Sequence, residues 1–190
     1  MDYLNREFYC RDPAIVAIDL LGKKLVKINE TEHLSGIIVE TEAYYGCKDP
    51  ASRAYNGKKK YNKTMFETPG TLFIYMVHGW WLLNISAHKD GEVGAVLIRA
   101  IEPIDGIETM KKNRGLNSLI ALTNGPGKLT KSLKITKYLN GYDIVGGKQV
   151  SIMVGWTHNF EIASSNRVGV THDLLKPLRF YIRGNIFVSY

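Results

Sequence analysis

The sequence predicts a single α+β domain with a curved, mostly antiparallel β-sheet flanked by helices. Several segments rich in β-branched and aromatic residues follow one another in the first half of the chain, and most helical patterns come later. The chain has 190 residues, of which 45% are hydrophobic and 11% aromatic. This length is enough to bury one hydrophobic core but is short for two separate ones. No repeat, low-complexity tract or linker divides it, so we expect residues 1–190 to form one domain.

The first predicted element is a short helix after Asp12, with Pro13 in its first turn and Gly22 just past its end. His78 and Gly79 alone separate two strand-like runs, which is a hairpin signal, although a weaker one than Asn-Gly. This pattern predicts a protruding β-hairpin. In order, the predicted strands of this half of the chain are 24–28, 36–44, 71–77, 80–86 and 94–102.

The sequence of the second half predicts two helices, at 105–114 and 126–135.

A polar, basic stretch at 45–68 joins the second predicted strand to the third. It is too long for an idle loop in a compact domain, so it is a candidate for function. Short strands are predicted near 150–154, 168–170, 179–182 and 186–188.

The composition favours an acidic partner, because the formal net charge is +7 and a basic surface attracts polyanions through steering and counterion release. Any single cluster of basic residues could equally be a solvated loop or helix face. The clusters are Arg53, Lys58, Lys59, Lys60 and Lys63; Lys111, Lys112 and Arg114; and Lys128, Lys131, Lys134 and Lys137.

Targeting and metal signals are absent from the sequence. No apolar run is long enough to cross a bilayer, and the first residues mix acidic and basic side chains, so we expect a cytoplasmic protein without membrane contact. Cys10 and Cys47 lie far apart with no CxxC pattern, and the five histidines show no ligand spacing. We therefore expect neither a disulfide nor a metal site.

The strand at 36–44 carries a candidate catalytic face. Side chains alternate along a strand, so Glu40, Glu42 and Tyr44 point to one side together with Ile38. One interpretation is a solvated outer face of the sheet. The other is an active-site wall, in which a carboxylate acts as general base and the aromatic ring holds a flat substrate.

The hairpin repeats this pattern, with Phe73 and Tyr75 on one face of its first arm and Trp80, Leu82 and Asn84 on one face of its second. Aromatic residues at strand spacing belong either to a core or to a ligand platform. The bulky tip at 77–81 favours a wedge or an interface, because such side chains would project into solvent.

Two further features are candidates for function: an arginine inside an apolar strand and a turn that opens a helix. Arg99 lies in an otherwise apolar strand, where a buried guanidinium needs a partner; it serves either in an ion pair with Glu40, Glu102 or another acid, or in catalysis. The turn at 124–129 opens a helix whose free amides suit a phosphate, but it lacks the spacing of a Walker loop.

Eight short motifs follow one another in the order found in the alkyladenine (methylpurine) DNA glycosylase family, and the sequence strongly resembles that family from about residue 5 onward. Any one of these motifs alone is weak evidence for the family, but the ordered set of eight is specific to it. The motifs are VETEAY at 39–44, DPAS at 49–52, MF at 65–66, PGTL at 69–72, VLIRAIEP at 96–103, NGPGKL at 124–129, RVGV at 167–170 and KPLRFY at 176–181.

The resemblance implies a monomer that grips damaged double-stranded DNA through the minor groove, inserts a hairpin residue into the base stack and swings the damaged nucleotide into a pocket. It implies Glu42 as the general base that activates a water, with Arg99 and the backbone carbonyl of Val168 helping to hold that water. The family uses no metal, other cofactor or lysine nucleophile, so the expected product is an abasic site in an uncut strand.

The resemblance also implies roles in binding. Tyr44 and Tyr75 match the rings that sandwich the flipped base, Asn84 matches the residue that screens against a guanine amino group, and Met65 matches a residue that reaches the opposite strand. These residue types suit the chemistry, since alkylation weakens the glycosidic bond and leaves an electron-poor base that aromatic faces can hold.

Two positions depart from the family pattern. Arg53 replaces the usual histidine after the DPAS motif, and a cation there would disfavour positively charged lesions such as 3-methyladenine relative to neutral ones such as hypoxanthine or ethenoadenine. His78-Gly79-Trp80 replaces the usual Tyr-Gly-Met tip, so the wedge is either His78 or a neighbouring tryptophan such as Trp80.

Two rival functions remain open at this point. One is a binder of distorted nucleic acid that kept the fold and lost catalysis, although such a protein would not need Glu42. The other is a carbohydrate glycosidase that uses Glu40 and Glu42, whose carboxyl groups would lie roughly 6 to 7 Å apart. The two carboxylates would stand side by side instead of flanking a bond, and the basic clusters would serve little purpose.

Overall fold

The computed structural model describes residues 3–156 and 159–189, which form one α+β domain. Its four helices are α1 (Arg6–Tyr9), α2 (Pro13–Asp19), α3 (Ile107–Arg114) and α4 (Pro126–Ser132). Its strands are β1 (Lys24–Ile28), β2 (His33–Tyr45), β3 (Leu72–Val77), β4 (Trp80–Ser86), β5 (Gly94–Asp105), β6 (Val150–Met153), β7 (Ile162–Ser165) and β8 (Arg179–Ile182). Single 3-10 turns lie at Lys63–Phe66, Ile120–Leu122 and Lys137–Leu139.

The described strands make one eight-stranded antiparallel sheet, in which six strands follow the order β3-β4-β5-β2-β1-β6 and the other two join at β2, with β8 paired to β2 and β7 to β8. The long strand β2 organises the sheet. One edge pairs with β5 along its whole length, while the other edge pairs first with β1 and then, from Glu40 to Glu42, with β8. The sheet therefore divides at Glu40, which brings the C-terminal strands β7 and β8 beside the middle of β2.

Irregular pairing between β2 and β5 lies at the same place, with register shifts around Ile38, Glu40 and Thr41. Such bulges bend a strand, increase its twist and redirect side chains, and they are common beside active sites. Two of the three irregularities in this strand pair therefore lie beside the two glutamates, and the third lies between Ser35 and Gly36.

Helix α2 begins as predicted: the side chain of Asp12 accepts a hydrogen bond from the Ala14 N–H, and Pro13 occupies the first turn. It packs on β2, where the Thr41 hydroxyl donates to the carbonyl of Ala17 over 2.8 Å. The main core lies between this helix and the sheet. Its fully buried members include Val16, Ala17, Leu20, Ile38, Val39, Ile98 and Ile101.

The strands of the first half are confirmed, with β2 and β5 longer than expected. Two short predicted strands, 168–170 and 186–188, are wrong because both segments are turns. In the first, Gly169 has a positive φ of 72° and the Val168 N–H bonds to a side chain instead of a neighbouring strand. In the second, the Phe187 N–H bonds to the side chain of Asn185. Strand β7 (Ile162–Ser165), which pairs with β8, was missed.

Among the described residues, no helix has both the length and the apolar character needed to cross a membrane. Cys10 and Cys47 are both free thiols.

Candidate active site

The two glutamates of β2 are completely buried, with exposed fractions of 0%. The alternative of a solvated outer face is therefore wrong. Buried carboxylates must be paired or hydrogen-bonded, because removing a charge from water without compensation is very costly. The partners of Glu40 and Glu42 consequently reveal what each one does.

Glu40 is enclosed by cations and hydrogen-bond donors. Its Oε1 accepts bonds from the Nε atoms of Arg99 and Arg179, each at 2.7 Å, and its Oε2 accepts one from the Ser189 N–H at 2.7 Å. The Ser189 hydroxyl donates to Oε1 at 2.8 Å. With two guanidiniums and a serine around it, Glu40 is a structural anchor that holds Arg99.

Glu42 has a different environment. Its Oε1 accepts a hydrogen bond from the Val168 N–H at 2.7 Å and lies 3.2 Å from Nη1 of Arg99, and its Oε2 accepts one from the Tyr44 hydroxyl at 2.7 Å. All three of these neighbours line the largest cavity described below. Glu42 therefore lies directly behind the wall of that cavity.

Burial and charge pairing together set the protonation of this cluster. Burial raises the pKa of Glu42 above its ordinary value, although Arg99, the Val168 N–H and the Tyr44 hydroxyl each act to lower it. Burial acts to lower the pKa of Arg99, but Glu42 and Glu40 outweigh it and raise that pKa, so Arg99 stays cationic. Burial and the nearby Glu42 raise the pKa of Tyr44, which keeps its hydroxyl protonated and able to donate.

A second buried ion network supports this site from behind. Arg167 donates to both carboxylate oxygens of Asp49, at 2.7 and 2.8 Å, to Asp173 at 2.9 Å, and to the carbonyl of Ala43 at 2.9 Å. Its side chain has no exposed surface, and its guanidinium carbon lies 4.5 Å from the centroid of the Tyr44 ring. Arg167 thus ties the 166–173 loop, including Val168, to β2 and to the 45–68 segment.

The cavity in front of Glu42 has a volume of about 810 Å³, within the usual range for ligand sites. Its walls come from β2, the hairpin, and the loops around residues 50–53, 125–128 and 168–172. The predicted site residues that line it are Tyr44, Arg53, Tyr75, His78, Trp80, Arg99 and Val168.

Two tyrosines and an asparagine meet in a small recess beside this cavity, lined by Tyr44, Tyr75 and Asn84 among others. One face of Tyr75 stacks on Phe73, with ring centroids 4.9 Å apart and planes at 25°. Asn84 is buried and donates to the carbonyl of Phe73 over 3.2 Å, which fixes its amide.

Arg53 lies at the opening of this region. Its guanidinium carbon is 4.9 Å from the centroid of the Tyr75 ring, and its side chain belongs to the exposed part of the surface. No acidic side chain among the described residues forms a salt bridge with it. Arg53, which is hydrogen-bonded to the Tyr75 hydroxyl, is thus a cation beside one of the two aromatic rings without an acidic partner among the described residues.

Met65 lies elsewhere than expected. It is 1% exposed and packs with Ala54, Phe73 and Ala95 in a small second core behind the tyrosines. An enclosed side chain offers no surface to DNA, so the predicted contact between Met65 and an opposite strand is not supported. Its position fits a different role, as a backing for the Phe73 and Tyr75 rings.

The hairpin tip carries two unusual features. His78 has a positive φ of 48°, which a non-glycine residue rarely adopts, and Gly79 follows with a φ of 82°. Trp80 is 42% exposed although it is a large aromatic residue. Among the described residues, no group of three or more His, Cys, Asp and Glu side chains could hold a metal ion.

Comparison with known proteins identifies this arrangement. The sequence profile of the methylpurine-DNA glycosylases matches residues 7–186. The chain belongs to this glycosylase family. Its members hydrolyse N-glycosyl bonds in damaged DNA, and this assignment confirms the resemblance noted in the sequence.

Curated relatives of the glycosylase are similar along the whole chain. One from Alkaliphilus oremlandii is 42% identical, and one from Carboxydothermus hydrogenoformans is 43% identical; in each case the match covers 98% of this chain and 98% of the relative. A third from Clostridium novyi is 43% identical over 100% of this chain and 99% of its own length. All three carry the name 3-methyladenine DNA glycosylase.

Sequence reasoning about the glycosylase missed Arg167, Asp49 and Asp173 as site residues. The only available signal was that Asp49 and Arg167 lie inside two of the ordered motifs, DPAS and RVGV. That the carbonyl of Val168 helps to hold the attacking water stays a prediction, and the structure adds that the amide nitrogen of Val168 contacts Glu42.

Proposed function

We propose that this protein is a monofunctional DNA glycosylase that acts as a monomer on alkylated or deaminated purines in duplex DNA. The proposed substrates are the 3-methyladenine, 7-methylguanine, hypoxanthine and ethenoadenine class. The enzyme approaches from the minor groove, flips the damaged nucleotide into the 810 Å³ cavity and hydrolyses the N-glycosidic bond. The observation that carries this proposal is Glu42, a buried carboxylate whose three partners all line that cavity.

In the proposed reaction, a water molecule attacks C1′ of the flipped nucleotide while Glu42 accepts its proton. The bond between C1′ and the base nitrogen breaks, and the base leaves with that electron pair. A positively charged alkylated base leaves as a neutral molecule, whereas a neutral lesion leaves as an anion that takes up a proton from the solvent. The product is an abasic site, and the strand stays intact because no amine nucleophile takes part.

Glu42 suits the part of base in this scheme. Its raised pKa makes it a better proton acceptor than an ordinary glutamate. Its negative charge also stabilises the oxocarbenium-like transition state at C1′. Arg99 holds the carboxylate in one orientation because Glu40 in turn fixes Arg99.

The flipped base is proposed to stack between Tyr44 and Tyr75, with Asn84 screening against a guanine amino group. Phe73 stacks on the Tyr75 ring and the cationic Arg167 lies over the Tyr44 ring, and these contacts help to hold the two rings in place. The hairpin tip is proposed to fill the gap in the base stack, and the exposed Trp80 and the strained His78 are the candidates for that wedge.

The decisive experiment is single-turnover excision on duplex oligonucleotides that carry hypoxanthine, ethenoadenine or 3-methyladenine, with alkali cleavage of the abasic sites. Wild type is expected to excise at least one lesion, and Glu42→Gln to lose excision while it keeps duplex binding. Glu108→Gln removes an exposed carboxylate from α3 and is the matched control. Good duplex binding by wild type with no excision of any lesion would instead support a non-catalytic binder.

The environment of Glu40 argues against the alternative of a carbohydrate glycosidase. A second catalytic carboxylate must reach the substrate, whereas two of the three residues that hold Glu40, Arg179 and Ser189, do not line the cavity. All three partners of Glu42 line it, which supports Glu42 as the single catalytic carboxylate.

A further inference from the structure

A second cavity adjoins the 810 Å³ cavity in front of Glu42, which we call the base cavity, across the hairpin tip. It has a volume of about 450 Å³ and lies between the tip of the hairpin and helix α4. Trp80 and Gly127 line both cavities, so they form the partition between them. We call the second cavity the basic groove; its lining includes Trp80, Trp81, Gly127, Lys131 and Lys134.

Cations without acidic partners surround the indole of Trp80. The Lys131 Nζ lies 5.9 Å and the Arg114 guanidinium carbon 5.8 Å from the centroid of its ring. Neither cation forms a salt bridge with an acidic side chain of the described residues. The Nε of Arg114 is buried without any hydrogen bond, and its Nη2 reaches only the carbonyl of Ala121, at 3.3 Å. Because that Nε is buried and Arg114 does not line the groove, Arg114 adds positive charge beside Trp80, and Lys131 is the exposed cation that an anion could reach.

The partition is built into the fold. A Cβ atom on Gly127 would lie 2.8 Å from the Cβ and Cγ of Trp80, so glycine alone allows the tryptophan to rest against α4. The Thr130 hydroxyl donates to the carbonyl of Trp81 over 2.7 Å, which fastens the hairpin arm to the same helix. The position of Trp80 between the two cavities is therefore fixed by packing.

We propose that the basic groove binds the undamaged strand, at the nucleotide opposite the lesion. Lys131 would contact a phosphate of that strand, and the exposed face of Trp80 would support its base. A hairpin tip inserted into a duplex separates the two strands. The cavity on one side of Trp80 takes the damaged nucleotide, so the cavity on its other side faces the complementary strand.

The charge pattern favours nucleic acid over a protein as the occupant. Among its described lining residues the groove has no acidic side chain, and it combines lysine with an exposed indole, which suits a phosphate next to a base. Lys134 is already paired with Glu32 at 2.9 Å, so Lys131 is the free lysine of the groove. This inference rests on the proposed function, because it requires a duplex with one flipped nucleotide.

The test compares Lys131→Glu with Lys137→Glu, both in the Glu42→Gln background so that bound DNA stays intact. Both variants change the net charge equally, but Lys137 is an exposed residue beside Tyr138 and does not line the groove. The measurement is the dissociation constant for an ethenoadenine oligonucleotide, single-stranded or paired, over a range of salt concentrations. Thermal unfolding of each variant confirms that it folds.

Lys131→Glu is expected to weaken duplex binding about tenfold and to lower the slope of log K against log salt by about one, the value for one lost phosphate contact. Its effect on the single strand should be no larger than that of Lys137→Glu. Equal losses on both substrates would assign the groove to the damaged strand, and no loss on either would assign it to something other than DNA; both results overturn the proposal. If the proposed function itself fails, wild type excises no lesion, which is a separate measurement.

Discussion

The N–H of Val168 donates a hydrogen bond of 2.7 Å to Oε1 of Glu42, from a residue 126 positions further along the chain. This bond joins the C-terminal loop to the central strand and fixes one oxygen of the candidate general base. The hydroxyl of Tyr44 fixes the other oxygen. The carboxylate is thus oriented from two sides before any substrate arrives.

The raised pKa of Glu42 predicts the pH dependence of excision. A general base must be ionised, so the rate should fall as the pH decreases through that pKa. Burial is the main reason that this pKa lies above the ordinary value of 4.5. The acid limb of the single-turnover rate against pH should therefore have its midpoint above 4.5, measured with ethenoadenine, which avoids the charge of an alkylated base. A midpoint at or below 4.5 would remove Glu42 from the role of base.

Replacement of Arg99 by methionine is expected to impair both folding and excision. Glu40 and Glu42 would remain buried without their shared cation, at a cost of about 3 kcal/mol or more in the free energy of unfolding. Excision should fall about a hundredfold, as for the loss of one fixed electrostatic contact. Urea denaturation and single-turnover kinetics measure the two effects.

Arg183→Met is the control for that experiment. Arg183 pairs with Glu161 at 2.9 Å on the surface, where an ion pair contributes little to stability. Similar losses in both variants would contradict a special role for Arg99.

Replacement of Arg167 by lysine tests whether the Arg167 network positions Val168. Lysine keeps the charge but cannot bridge Asp49, Asp173 and Ala43 together, so the 166–173 loop should loosen. The Val168 N–H lowers the pKa of Glu42, so its weakening should move the acid limb of the rate profile to higher pH. Arg11→Lys, in the half-exposed pair with Asp19, is the matched control. A slower rate with an unmoved acid limb would mean that Arg167 acts on stability alone.

Replacement of Arg53 by histidine is expected to change lesion preference. The guanidinium beside Tyr75 repels a cationic base, so its removal should raise excision of 3-methyladenine relative to hypoxanthine by about tenfold. Competition between two labelled duplexes measures this ratio directly. The control is Lys58→His, which makes the same change of charge. Lys58 lies beside Phe66 and does not line the base cavity. An unchanged excision ratio for Arg53→His would mean that the charge of Arg53 takes no part in recognition of the base.

The amino-acid sequence by itself determined the local elements and the chemical types at the site. Residue periodicity predicts the strands of the first half, and it places Glu40, Glu42 and Tyr44 on a common face of β2. Asp12 and Pro13 predict the start of α2, and His78 with Gly79 predicts the hairpin turn. The ordered motifs predict the family, which the match over residues 7–186 confirms.

Only the tertiary structure gave the two carboxylates of β2 their different surroundings. Glu40 and Glu42 are equivalent in a strand pattern, but Ser189 and Arg179 return from the C terminus to enclose one, and Val168 contacts the other. The burial of Met65 and the network of Arg167 likewise depend on segments far apart in the chain. The alternation of residue types along a strand describes only neighbours within a few residues. Burial and charge pairing are set by segments that are distant in sequence and come into contact only when the chain folds.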